Sequence, residues 1–180
     1  MPTIRPANSG DLHAITDIYN DCVLNSDATF DLQPKSVDQQ KAWFDRIRPD
    51  LPVLVAEDGD TVVGWGCLYP WSDKEGAART GGNSLYIHRD HRGRGVGKQM
   101  LTALLQAGRE AGMHSLIARI TDTNSVSLHL HEQAGFTNAG LLREVGWKFG
   151  RHLNVILMQY IYPGPPQEDA TSSACEERST

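Results

Sequence analysis

The stretch from Leu85 to Lys98, LYIHRDHRGRGVGK, constrains this chain more than any other part of it. Strand-like Leu85, Tyr86 and Ile87 run into a basic turn with glycines at 93, 95 and 97. An amphipathic segment follows, with Leu101, Leu104, Leu105 and Gly108 on one face and Gly112 as its stop, so the spacing predicts a helix from about Gly95 to Ala111. Glycine opens backbone conformations closed to other residues, which lets the amide N–H groups of Gly93, Arg94, Gly95, Val96 and Gly97 converge on one point. The helix N-terminus adds partial positive charge there, so a pyrophosphate can be held by main chain, with Arg92, Arg94 and Lys98 adding charge at the same end. Taken alone, a glycine triplet with exposed arginines also suits an ordinary connection. Two familiar phosphate loops are excluded by spacing. Gly97-Lys98 is followed by Gln99, where a Walker loop needs Ser or Thr, and GxGxG is not the dinucleotide GxGxxG.

Around this segment the hydrophobic period alternates between helix and strand. Leu12, Ile15, Tyr19 and Cys22 predict an amphipathic helix over Asp11–Asn25 with Ser9 as its cap, after a short strand at Thr3–Arg5. Ser36 to Gln39 has the form of a capping box, and the helix carrying Trp43, Phe44 and Ile47 should stop at Pro49 and Pro52. Residues 53–57 and 61–68 read as strands joined by the Asp58-Gly59-Asp60 turn. Residues 70–82 read as a loop, followed by strands at 84–87, 115–120 and 155–162 and a short helix at 124–133.

Composition limits the function. Of the net charge of -5, the last eighteen residues hold four acids against Arg178, leaving a body without the general basic surface that nucleic acid requires. The three cysteines, Cys22, Cys67 and Cys175, form no CxxC pair, which argues against a metal or redox site and for a reducing compartment. No apolar run approaches a membrane span and no signal-peptide pattern opens the chain, so the expectation is a soluble cytoplasmic protein with neither membrane nor nucleic-acid partner.

The strand followed by Arg92-Gly93-Arg94-Gly95-Val96-Gly97 resembles the cofactor motif of the GNAT acetyltransferases, a hydrophobic strand and then Arg/Gln-x-x-Gly-x-Gly/Ala. Asn124 to Phe136, NSVSLHLHEQAGF, resembles the family's later Asn-x-x-Ala/Ser-x-x-Leu-Tyr/His-x-x-x-Gly-Phe element at every anchor. Ile4 to Ala7, Ile18 to Asp21, Thr29-Phe30 and Val145 to Arg151 look like the phosphinothricin and methionine-sulfoximine acetyltransferase branch, over about residues 3–162. The resemblance implies an α/β (α+β) fold with a central mixed, mostly antiparallel twisted sheet of six to seven strands and about four helices. That domain would span residues 1–162; beyond it the Gly-, Pro- and Ser-rich composition cannot bury enough surface to offset its ordering entropy, so a disordered tail is expected over 163–180. The resemblance also implies acetyl-CoA as cosubstrate, no metal, a small amine such as an amino acid or analogue as acceptor, and a homodimer.

The resemblance further assigns roles. Leu85, Tyr86 and Ile87 would pair with the pantetheine arm, an amide near Ile87 would hold the oxyanion, and Asn124 and Gln133 belong to the cofactor side. His131 stands where the superfamily keeps its general acid, although it also suits a helix-surface histidine. The branch's glutamate base is replaced by Gly82, leaving His131, His88, Tyr86 or a water held by Asn83 and Ser84. Arginines that the branch uses against a carboxylate or phosphinate are Ser72 and Ala78 here, with Arg79 adjacent as a substitute. Lys74, Glu75, Gly76 and Ser84 match substrate-contact positions, though a solvated charged loop suits that stretch equally; Phe30 and Trp71 could line a pocket, though lone aromatics near strand ends are more often core. Gly82 also keeps open an acyl-CoA-binding sensor with lost turnover, whereas the long loop at 70–82 disfavours, without excluding, an acceptor on protein N-termini or lysines, which needs an open peptide groove.

Overall fold

The computed structural model describes residues 2–47 and 51–164. Along them the chain runs β1 (Thr3–Pro6), α1 (Leu12–Asn25), α2 (Val37–Phe44), β2 (Val53–Asp58), β3 (Thr61–Pro70), β4 (Thr80–Ile87), α3 (Val96–Glu110), β5 (Ser115–Thr121), α4 (Ser125–Gln133), β6 (Thr137–Lys148) and β7 (Arg151–Ile161). The strands make one 7-stranded sheet in the order β1-β2-β3-β4-β5-β7-β6. Each neighbouring pair is antiparallel except β4 with β5, which are parallel. This is the mixed sheet with four helices that the resemblance implied.

Strand side chains alternate between faces, so each face collects its own core. On one face Leu54, Leu68, Leu116 and Ala118 meet Met100, Leu101 and Leu104 of α3. On the other, Val53, Val55, Trp65 and Cys67 meet Ile15 and Ile18 of α1. Each fully buried side chain of this size contributes about 1.5–3 kcal/mol, so packing rather than helix propensity holds α1 and α3 to the sheet.

Several boundaries differ from the sequence expectations. Asn8, not Ser9, caps the entry to α1: its side chain accepts from the Gly10 N–H while Asp11 accepts from the Asn8 N–H, and a single 3₁₀ turn precedes the helix. The capping box of α2 is present, but α2 closes at Phe44, short of the prolines; Pro49 lies outside the described residues. β4 begins at Thr80, three residues inside the expected loop, because Gly81 and Gly82 fit where Leu116 and Tyr69 crowd the strand. β6 was not foreseen. It is an edge strand exposed along most of its length and broken by register shifts, so no period of two is visible in its sequence. From residue 165 onward the expected tail, with Cys175, lies outside the described residues.

Candidate active site

At the β4–α3 turn the glycines divide into two kinds. Gly93 and Gly95 have φ of 72° and 82°, and a Cβ on either would meet nothing within 4 Å. They are glycines of backbone conformation facing open space. Gly97, expected to share that role, lies in the first turn of α3, where an added Cβ would make only an ordinary contact with Leu130 of α4 at 3.4 Å. No side chain caps α3, so its first-turn amides keep the unpaired N–H groups common to helix N-termini. Val96 offers its amide alone, since its side chain is core. Arg94 and Lys98 are exposed beside this end with no ion pair among the described residues. Arg92 departs from expectation: its Nε donates to the Ile87 carbonyl at 3.0 Å and its guanidinium lies toward Asp21, so it braces the turn against α1.

Next to this turn the sheet forks. The β4–β5 ladder runs from Thr80↔Ser115 to Asn83↔Ala118 and stops, although both strands continue. His88 N–H donates to Val63 on β3, so strand alternation turns the Leu85 and Ile87 amides to the other edge, toward the fork. Tyr86 differs from its neighbours here. Its main chain faces β3, and its ring packs on Trp65 and Tyr19 with centroids 4.9 and 5.2 Å away. A cavity of about 510 Å³ opens at the fork, lined by Asn83 to Tyr86, Ala118 to Thr121, Asn124, Ser127, His131 and, across from them, Asp27 to Phe30 with Val145. Phe30 covers this cavity by resting on Gly146, where a side chain would collide with its ring. Lys148 tethers the same segment, its Nζ donating to the Thr29 carbonyl at 2.8 Å.

His131 is 3% exposed on the cavity wall and both its nitrogens are engaged. Nδ1 lies 2.8 Å from the Ser127 carbonyl, which can only accept, so the ring proton sits on Nδ1. Nε2 then accepts from Asn83 Nδ2 at 3.0 Å. Burial holds the imidazole below its ordinary proton affinity, outweighing the Ser127 bond, and keeps it neutral near pH 7. Asn83 is 5% exposed, and its Oδ1 has no hydrogen-bond partner. Such an orphaned buried acceptor in a cavity wall is costly unless a ligand or water meets it. Asn124 lines the cavity while its side chain caps α4 by accepting from Ser127 N–H; Gln133 is exposed and lines neither cavity described here.

On the α1–α2 face a second cavity, of about 560 Å³, shares Tyr69, Ser84, Tyr86 and Arg119 with the first. Gly82 faces this side, opposite Tyr69 in the β3–β4 ladder, and a Cβ there would lie 2.2 Å from the Tyr69 ring. Tyr69 therefore fills the space beside the missing glutamate, and the Arg119 guanidinium stacks 5.7 Å from its ring centre. Among the other expected bases, burial pushes the Tyr86 phenol well above its ordinary value, and half-buried His88 lines neither cavity and accepts from Asp90 N–H. Cys67 lines the second cavity, yet burial raises its thiol to about 12, leaving no thiolate near neutrality.

The expected acceptor loop is not assembled around either cavity. Ser84 and Phe30 reach them, whereas Trp71, 41% exposed, and Lys74, Glu75 and Gly76 line neither. Arg79 donates to the Gly112 carbonyl at 3.2 Å, at the far end of α3. Loop residues adjacent in sequence part company here because β4 begins at Thr80 and carries Ser84 four residues further into the sheet. Tyr69 and Arg119 escaped the sequence reading. The available signal was one arginine within the otherwise strand-like Ser115–Thr121 run.

Among the described residues no cluster of three or more metal-ligating side chains occurs, and no helix is long and apolar enough to cross a membrane. A family model described as the Acetyltransferase (GNAT) family matches residues 12–136. The chain is 38% identical over 158 residues to the L-amino acid N-acyltransferase MnaT of Escherichia coli K12, covering 87% of this chain and 92% of that one. It is 40% identical over 159 residues to the L-methionine sulfoximine/L-methionine sulfone acetyltransferase of Pseudomonas paraeruginosa, with the same coverage. Among solved structures, a phosphinothricin acetyltransferase of Sinorhizobium meliloti in complex with AcCoA superposes with a TM-score of 0.88 at 30% identity, covering 96% of this chain and 97% of that one.

Proposed function

This chain belongs to the GNAT acetyltransferase family, and from that premise we propose that it moves the acetyl group of acetyl-CoA onto the amino group of a small amino acid or analogue. The observation that carries the reading is the fork between β4 and β5, where unpaired strand amides lie between an uncapped helix N-terminus and a cavity. The named relatives are acyltransferases, so a sensor without turnover is not favoured. Steady thiol release from acetyl-CoA with amino acids, sulfones, sulfoximines and phosphinothricin tests it; no release with any of them overturns it.

The cosubstrate supplies an acyl thioester, and the protein must bind it, orient the amine, stabilise the oxyanion and move one proton. The amides of Gly93 to Lys98 would hold its diphosphate, with Arg94 and Lys98 adding charge, and the Leu85 and Ile87 main chain would hold its arm as an added strand. The fit is supported by the open space at Gly93 and Gly95 and by the fork itself. The Ile87 amide is the oxyanion donor in this reading.

His131 is the proposed proton carrier. Neutral at rest, it takes the proton from the attacking amine on Nε2 and returns it to the departing sulfur, so no prior imidazolium is needed. Asn83, which donates to Nε2 at rest, accepts from the protonated Nε2 after turning its amide, because its Oδ1 is otherwise unpartnered. Gly82 then matters less, since an amine arriving partly deprotonated asks little of a second base.

The rest of the proposal is a cytoplasmic homodimer of one catalytic domain over residues 1–162. Exposed Leu141, Val145, Trp147 and Phe149 on and beside the edge strand β6 support the dimer, and the unpaired buried thiols of Cys22 and Cys67 suit a reducing compartment. Light scattering of the purified chain tests the dimer.

A further inference from the structure

We infer that Arg119 is the anchor for the acceptor's carboxylate, replacing the loop arginines that Ser72 and Ala78 remove; the inference rests on the acyl-transfer reading above. Arg119 is the first residue of β5 beyond the last rung of the β4–β5 ladder, so its position in the chain puts it at the mouth of the fork. Leu116, Ala118 and Ile120 point into the α3 core, which turns Arg119 to the opposite face, over Tyr69.

Its electrostatic setting differs from that of the ion-paired arginines. Arg5 pairs with Asp11 and Glu57, Arg89 and Arg92 with Asp21, and Arg151 with Asp27. Among the described residues Arg119 has no carboxylate; its Nη2 donates to the Tyr69 hydroxyl at 3.4 Å. Tyr69 occupies the ring face of the guanidinium and leaves N–H edges for a planar, two-toothed carboxylate. Stacking on Tyr69 also limits the conformations the long side chain loses on binding.

The surroundings select an anion. Among the described residues the second cavity is lined by Lys35, Arg46 and Arg119 and by no aspartate or glutamate, and only Lys35 of the three is neutralised, by Asp31 at 2.8 Å. Trp65, 3% exposed in the same lining, carries an indole N–H with no acceptor. Tyr69, Ser84, Tyr86 and Arg119 belong to both cavities, so one small molecule can rest its carboxylate on Arg119 while its amine faces the fork. Gly82 belongs to the same design: a larger residue would push Tyr69, and with it the stacked guanidinium, out of place.

The test compares L-methionine sulfone with its α-carboxamide as acceptors for the native chain, Arg119→Ala, Arg119→Gln and Arg119→Lys, with acetyl-CoA affinity measured by calorimetry. The acid-to-amide ratio of kcat/KM should fall about 10- to 100-fold in the Ala and Gln variants, as expected for loss of a charge-assisted hydrogen bond. Comparing ratios cancels the different basicity of the two amines. Arg119→Lys should fall between, since an ammonium keeps the charge without the fork, and acetyl-CoA affinity should change less than threefold. An unchanged ratio, or equal losses for acid and amide, overturns the inference. If the native chain turns over no amine, the acyl-transfer reading fails, and calorimetric binding of the sulfone to native chain and Arg119→Gln then decides the anchor alone: equal affinity, or no binding to either, overturns it.

Discussion

The two sides of the fork are built from different materials. The proposed cofactor side is main chain: the amides from Gly93 to Lys98, and those of Leu85 and Ile87 where β5 has left them unpaired. The proposed acceptor side is side chain: Tyr69 from β3, Ser84 and Tyr86 from β4, and Arg119 from β5. A main-chain site depends on local conformation and tolerates many side-chain changes. A side-chain site depends on which residues the sheet brings together, so one substitution redirects it. The solved phosphinothricin acetyltransferase holds AcCoA, and the proposed acceptor side is where Gly82, Ser72 and Ala78 depart from the branch that the sequence resembles.

That contrast breaks first, and most completely, at Gly95. Gly95→Val forces a β-branched residue to φ of 82° and fills open space over the cradle, so acetyl-CoA affinity should fall by two orders of magnitude or more by calorimetry. Gly97→Ala is its counterpart, making only an ordinary contact at 3.4 Å with Leu130, and should change affinity less than threefold. Equal losses in both would mean that packing, not backbone conformation, makes the cradle.

His131→Ala comes next, with kcat about 10²–10⁴-fold lower and acetyl-CoA affinity nearly unchanged; parallel losses would reduce His131 to a structural part. On the acceptor side, Gly82→Glu does not simply restore a base. Its Cβ would lie 2.2 Å from the Tyr69 ring, so the single variant should lose about 1–3 kcal/mol in urea melts and slow turnover. Gly82→Glu with Tyr69→Ala should recover stability relative to the single change, and failure to do so would remove Tyr69 as the obstacle.

The smallest effect is on pH dependence. His131 is held below its ordinary 6.5, so the native state binds fewer protons than the unfolded chain just beneath that value. Its contribution is complete above about pH 6.5 and is lost as pH falls toward the lower native value. Asp11 and Glu57, lowered chiefly by bonds from Arg5, act in the same direction but beneath their ordinary 3.8 and 4.5. His131→Gln should therefore flatten the melting temperature between neutrality and mild acid and leave the steeper acid limb intact.

How much was legible varies along the chain. The α3 cradle, the capping box at Ser36 and Gln39, and the helix carrying His131 were readable because each depends on residues within one turn of each other. The contacts of Arg92 with Asp21 and of Gly97 with Leu130 were not legible, since those partners are distant in sequence. β6 was hidden by exposure on both faces, and proximity to the loop said nothing of the bond from Arg79 to Gly112.

By itself the sequence determined the helix and strand periods, the positive-φ glycines at 93 and 95, and the order of the two motifs, because these follow from interactions local to the chain. Only the tertiary structure decided that β4 and β5 part after Asn83 and Ala118, that Tyr69 occupies the space over Gly82, and that Arg119 stands at the fork with no carboxylate partner among the described residues. Those facts depend on strand register and on which side chains share a face, and both are set by the whole sheet closing around its cores.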